Sequence, residues 1–156
     1  MAAHKRKIYL EIVMLKIKYL LSFVLITAVA ALASAQSLPE GKWQLVAYNF
    51  TGEVDHPIPG LKITLNIHPD GKLGGGSGCN AYGGEYTVED GKLKISHIIS
   101  TMMACQEPSP EFEGHFYNVL NSATEFEVKK GELTLTDKAT HHFMRFVEVK
   151  PAKTDK

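Results

Sequence analysis

Apolar and polar positions alternate through most of the chain beyond residue 40, and that alternation predicts β-structure. Lys42 to Phe50 (KWQLVAYNF) is rich in β-formers and reads as a first strand. In Leu61 to His68, residues Ile63, Leu65 and Ile67 face one way while Lys62, Thr64 and Asn66 face the other. Strict period two predicts a strand with one buried face. Leu73 to Cys79 continues as a strand that Cys79 ends, but it carries Gly74, Gly75, Gly76 and Gly78. Glycines there predict a bulge or a close backbone approach. Tyr82 to Val88 sets Tyr82, Gly84 and Tyr86 on one face, and Leu93 to Ile99 sets Leu93 and Ile95 together. Phe126 and Val128, then Lys130-Gly131, then Leu133 and Leu135 predict a hairpin. His141 to Val149 reads as a last strand, apolar on both faces at Phe143, Met144, Phe146 and Val147. A bulge or two-sided burial would explain that pattern.

Beyond residue 40 the helical period occurs once. Phe112, Phe116, Val119, Leu120 and Ala123 fall on one stripe. Ser109 suits the N-cap, Pro110 the first helical position, and Glu111 and Glu113 the positive helix end. A turn-Gly-(Lys/Glu)-Leu phrase recurs at Asp70 to Leu73, Asp90 to Leu93 and Lys130 to Leu133. Hairpin turn chemistry accounts for it without an internal repeat. The fold class is therefore mainly β: a curved or barrel-like antiparallel sheet of about eight strands, with one α-helix over an end or face.

The N-terminal stretch follows a different logic. Lys16 and Lys18 precede an uncharged run from Tyr19 to Leu32, and Ala33-Ser34-Ala35 follows. A basic region, an apolar core and an A-x-A site predict a secretory signal over residues 1–35, cleaved between Ala35 and Gln36. Met14 would open a more compact signal. An uncleaved anchor is the alternative, since the uncharged run extends to Leu38, about the 20 residues a span needs. Ser34, Gln36 and Ser37 make its end too polar for one. No cysteine stands at the cleavage site to accept a lipid. A secreted or periplasmic protein with no stable membrane anchor is expected. Residues 36–41 form a short lead, 42–149 the domain and 150–156 a polar tail.

Charge changes the partner classes. The chain has 17 basic and 17 acidic residues, but five of the basic ones precede residue 36. The remainder carries 12 basic and 16 acidic residues, a formal net of −4. A basic face for nucleic acid is excluded as the basis of function.

Cys79 and Cys105 are the only cysteines. An even count in an exported chain predicts one disulfide, and two buried thiols are the alternative. In a meander the two lie at the same end of the sheet, about 9–10 Å apart across an intervening strand. A bridge then requires the Thr101–Pro108 loop to fold back over the glycine-rich corner.

Gly76-Ser77-Gly78-Cys79-Asn80-Ala81-Tyr82-Gly83-Gly84-Glu85-Tyr86 resembles the G-C-N-x-Y-x-G-x-Y signature of the META domain (HslJ-like) family. Thr101-Met102-Met103-Ala104-Cys105 resembles its T-x-M-A-C signature, and Trp43-Gln44-Leu45 its opening strand. The resemblance covers nearly all of residues 40–149. It implies a compact β-rich envelope or secreted protein, linked in bacterial members to heat shock and drug tolerance. The fold also resembles that of lipid-binding pilotins. No catalytic residues come with it.

The remaining chemistry is sparse. His56, His68, His97, His115, His141 and His142 are scattered, and the adjacent pair on a strand would point to opposite faces. No metal site, cofactor or catalytic group is expected. The glycine run lacks the Lys-Ser/Thr and helix of a phosphate loop. Asn49-Phe50-Thr51 is a glycosylation sequon that matters only in a eukaryotic source. Asn80 is expected to stabilise the corner structurally. The function expected is a monomeric, non-enzymatic binding or stress-tolerance module. It would meet a protein partner at the glycine-rich corner and the Thr101–Pro108 loop, where Met102 and Met103 make an adaptable surface. The alternative is a carrier with a small apolar ligand inside the curled sheet. A partner-binding module would instead fill that interior with Trp43, Leu65, Tyr86 and Phe126.

Overall fold

A computed structural model describes residues 37–106 and 110–150, with Glu11, residues 13–16 and Lys18 from the N-terminal stretch. The chain divides into two units, Met1–Ala35 and Gln36–Lys156. The described residues of the first are helical. The predicted signal run and the cleavage pair Ala35 and Gln36 lie outside the described residues, as do the N-cap Ser109 and the tail beyond residue 150. No helix among the described residues is long and apolar enough to cross a membrane.

The second unit is an eight-stranded antiparallel sheet: β1 (Gly41–Asn49), β2 (Thr64–Ile67), β3 (Lys72–Gly76), β4 (Ala81–Glu89), β5 (Lys92–Ser100), β6 (Glu125–Lys129), β7 (Glu132–Thr136) and β8 (Phe143–Glu148). One helix, α1 (Pro110–Ser122), connects β5 to β6. The strand order is β5-β4-β3-β2-β1-β8-β7-β6. Every neighbour is sequential except β1 and β8, which close the two halves. The sheet therefore curls until its edge strands come near each other, and the Leu93 amide donates to the Thr124 carbonyl at 3.0 Å. α1 packs against β5, and its buried Phe116, Val119 and Leu120 join the core.

The interior is one continuous apolar cluster. Phe116, Phe146, Ile63, Leu65, Leu120, Leu133, Leu135 and Met144 are fully buried, and Trp43 is nearly so. Tyr86 and Phe126 pack against this cluster but are only half-buried. The predicted apolar stripe of the helix is confirmed from Phe116 to Ala123, with Phe112 half-buried at its start.

Two bulges reset the side-chain phase. In β1 the register with β8 shifts between Leu45 and Ala47. Trp43 and Leu45 face inward before the shift, and Tyr48 and Phe50 pack on the core after it. In β5 the extra residue falls opposite Gly84, between the pairs Gly83↔Ile99 and Glu85↔Ser96. His97 there has φ +53°, in the left-handed region. Leu93 and Ile95 point inward, the shift brings Ile98 inward, and Ile99 is turned to solvent.

The recurring turn phrase resolves into two kinds of turn. Asp90-Gly91 and Lys130-Gly131 each place two successive residues at positive φ, as a two-residue hairpin loop demands. The β2–β3 loop is longer, and there the Asp70 carboxylate accepts the Lys72 amide at 3.3 Å. Two sequence assignments need correction. β3 stops at Gly76, so Cys79 lies in the turn to β4 and not in a strand. His141 and His142 precede β8 in a turn built on Asp137, whose carboxylate accepts the Ala139 amide and the Thr140 hydroxyl, both at 2.8 Å. They are not an opposed pair on a strand.

Candidate functional site

The β3–β4 turn, the loop after β5 and the first turns of α1 converge at one corner. Glycine makes the approach possible. A Cβ at Gly75 would stand 2.0 Å from the Thr64 carbonyl oxygen, and one at Gly74 would stand 2.7 Å from that of Tyr82. With both side chains absent, β3 lies tight between β2 and β4. The Thr64 hydroxyl accepts the Gly76 amide at 3.0 Å, and the Tyr82 hydroxyl donates to the Thr64 carbonyl at 2.9 Å. Burial, and secondarily Tyr117, pushes the Tyr82 phenol well above its ordinary range, so it stays a donor.

Asn80 is the hub of the corner. Its side-chain oxygen accepts the Met103 amide at 2.7 Å and the Thr101 hydroxyl at 2.9 Å. Its side-chain nitrogen donates to Glu113 Oε2 at 2.6 Å, and its backbone amide donates to Glu113 Oε1 at 3.2 Å. Ser77, fully buried, donates through its hydroxyl to the same Oε1 and accepts from the Tyr117 hydroxyl at 2.9 Å. One carboxylate from α1 thus gathers three donors from the β3–β4 turn. One asparagine in that turn holds the loop that follows β5.

A covalent link completes the clamp. Cys79 and Cys105 form a disulfide, with their Cα atoms 6.0 Å apart. The loop after β5 folds back over the sheet end, as the meander argument required. The Thr101 hydroxyl also accepts the Ala81 amide at 3.1 Å.

Ala104 lies in this loop, and Gly78 turns the β3–β4 corner at φ +107°. Tyr82 is buried against Phe116, with ring centroids 5.4 Å apart. Gly84 lies against the β5 bulge, where a Cβ would meet the Ser96 carbonyl at 3.1 Å. Tyr86 sits farther along β4, away from the corner, and donates to the His68 carbonyl at 2.9 Å. Sequence reasoning missed Glu113, Ser77 and Tyr117 as partners. It assigned Glu113 to the helix dipole. The available signal was the i, i+4 spacing of Glu113 and Tyr117, which puts a polar edge beside the Phe112–Phe116 stripe.

The outer surface of the clamp is apolar. Met102 is 97% exposed, Ile99 75% and Met103 61%. A shallow depression of about 510 Å³ runs between the Thr101–Cys105 segment and the start of α1. No group of three or more His, Cys, Asp or Glu among the described residues is arranged to hold a metal.

A family model for the META domain matches residues 36–150. The chain belongs to the META domain family. The corner that holds both META cysteine motifs is thus the one that Asn80 and the disulfide lock together. Among solved structures, the chain is similar to a protein from Burkholderia xenovorans at 28% identity and a TM-score of 0.64, covering 76% of this chain and 88% of that one. It shares its fold with a DUF4847 family protein from Bacteroides vulgatus at 15% identity and a TM-score of 0.52, covering 72% and 94%. A third structure matches at 18% identity and a TM-score of 0.56, covering 71% and 91%. The comparison with curated proteins finds no match.

Proposed function

We propose that this META-domain chain is an exported, non-enzymatic binding module that contacts a protein partner through its disulfide-clamped corner. The observation that carries the reading is the exposure of Met102 and Met103 on a loop held by a covalent bond and a buried hydrogen-bond hub, beside exposed Ile99 near the end of β5. A surface with no contact role gains nothing from holding three large apolar side chains in water. Prior fixation lowers the entropy lost when a partner docks, and methionine side chains adapt to varied surfaces.

Export rests on the basic–apolar–A-x-A order of residues 16–35 and on the disulfide, which persists in oxidising compartments. A stress-tolerance role would rest on the family resemblance alone. Carriage of a ligand inside the sheet has less support, since fully buried side chains from α1 and the strands occupy the interior.

The denatured mass of the purified protein, without reductant, tests export. It should correspond to a chain starting at Gln36 and lacking two protons. A photo-crosslinker at position 102 should give a discrete adduct in the source envelope. Cys79→Ser/Cys105→Ser should weaken that adduct. Equal crosslinking from a control position on exposed Lys94 would refute the contact surface.

A further inference from the structure

The clamped segment carries a chemistry that contact alone does not use. Beyond residue 36 the chain has three methionines, Met102, Met103 and Met144. Met102 is almost wholly in solvent, Met103 is more than half exposed, and Met144 on β8 is fully buried. Cys79 and Cys105 are joined in the disulfide, so no free thiol competes with the thioethers. The accessible reduced sulfur of this domain is therefore one adjacent pair of methionines.

The reaction open to that pair is the transfer of one oxygen atom. A thioether lone pair attacks a peroxide oxygen, and the S–O bond forms as the O–O bond breaks. The leaving hydroxide takes the proton from the oxygen now on sulfur and departs as water. Sulfur loses two electrons and the peroxide gains them. The product is polar and chiral where the side chain was apolar. Access sets the order of reaction. A reagent reaches Met102 directly, but reaches Met144 only when the fold opens, in a fraction of about 10⁻³ of molecules or fewer. The backbone is insulated from the change. The Met103 amide donates to the Asn80 side-chain oxygen at 2.7 Å, and the disulfide ties Cys105 to Cys79. Neither link uses a methionine sulfur.

We propose that Met102, and Met103 after it, form an oxidation site at which a hydroperoxide turns the apolar corner polar without opening the fold. The site itself stands on exposure, and its consequence for a partner rests on the contact surface proposed above.

The test treats the purified, disulfide-bonded chain with hydrogen peroxide. Tandem mass spectrometry of its peptides should place the first added oxygen, about 16 Da, on Met102 and the next on Met103. Met144 should react at least about a thousandfold more slowly. The doubly oxidised chain should elute earlier from a hydrophobic-interaction column, while its Tm shifts by no more than about 2 °C. Met102→Leu/Met103→Leu should show no peroxide-induced change in elution. A photo-crosslinker at position 99 reads the partner, and its adduct should be lost from the oxidised chain. Oxidation of Met144 alongside Met102, an unchanged elution or a larger fall in Tm would overturn the proposal. So would an adduct that survives oxidation. No adduct from the untreated chain would instead overturn the contact surface, and the peptide map, elution and Tm then decide the oxidation site by themselves.

Discussion

Replacing Glu113 by Gln tests the clamp with almost no change of shape. The native carboxylate accepts the Ser77 hydroxyl and the Asn80 amide on Oε1, and the Asn80 side chain on Oε2 at 2.6 Å. An amide can satisfy only part of this set. With its oxygen toward Ser77, its NH2 faces the Asn80 NH2, donor against donor. With its oxygen toward the Asn80 side chain, its NH2 can donate to Ser77 Oγ, and Ser77 can donate to the Asn80 carbonyl 3.0 Å away. The Asn80 backbone amide then loses its acceptor. One donor of a largely buried residue is stranded either way. That costs about 1–3 kcal/mol, or about 4–12 °C in Tm for a domain of this size. Calorimetry on the oxidised protein reads the loss. Glu111→Gln is the control, since that carboxylate is 86% exposed, with His115 at 3.9 Å. It should leave Tm nearly unchanged. Hydrogen exchange at the Met103 amide, held by Asn80, should accelerate in the Glu113 variant alone. If Glu113→Gln melts with wild type and Met103 stays protected, the clamp argument is wrong.

Three other perturbations give distinct outcomes. Cys79→Ser/Cys105→Ser should lower stability by about 3–4 kcal/mol, the entropy of closing the loop between residues 26 positions apart, and a urea midpoint equal to that of the parent would contradict this. Gly75→Ala should destabilise by more than about 3 kcal/mol because its Cβ meets the Thr64 carbonyl at 2.0 Å, whereas Gly76→Ala, with nothing nearer than 3.8 Å, should cost under about 1 kcal/mol. Similar melting of these two variants would remove the close-approach argument. Asp137 titrates below the ordinary carboxylate range, chiefly because the Thr140 hydroxyl and then the Ala139 amide bond its charged form. Its contribution is complete above the unfolded value of about 4 and is lost as pH falls through the lower native value. Asp137→Asn should therefore flatten the stability decline between about pH 5 and 2. An equally steep decline in the variant would show that other groups carry it.

Much of this protein is written in local pattern. Ile63, Leu65 and Ile67 fix a buried face by alternation, and all three are buried. The stripe from Phe116 to Ala123 marks the helix, and Asp90-Gly91 and Lys130-Gly131 mark hairpin loops. Side-chain period and turn conformation are properties of a few consecutive residues, so they survive in one dimension. The two cysteines and the glycine run likewise announced a tight, bridged corner. The structure decided what depends on residues meeting across the fold. The β5 bulge at His97 inverts the phase, so Ile99 faces water although alternation from Leu93 and Ile95 would have buried it. Glu113 leaves its expected role at the helix dipole because the curl of the sheet carries the β3–β4 turn against α1, 33 positions away from Asn80 in sequence. The edge-to-face contact of Tyr48 with Phe112 arises in the same way, from the β1 bulge and the start of α1. Bulges and curvature are set by the balance of packing over the whole sheet, and no short stretch of sequence contains that balance.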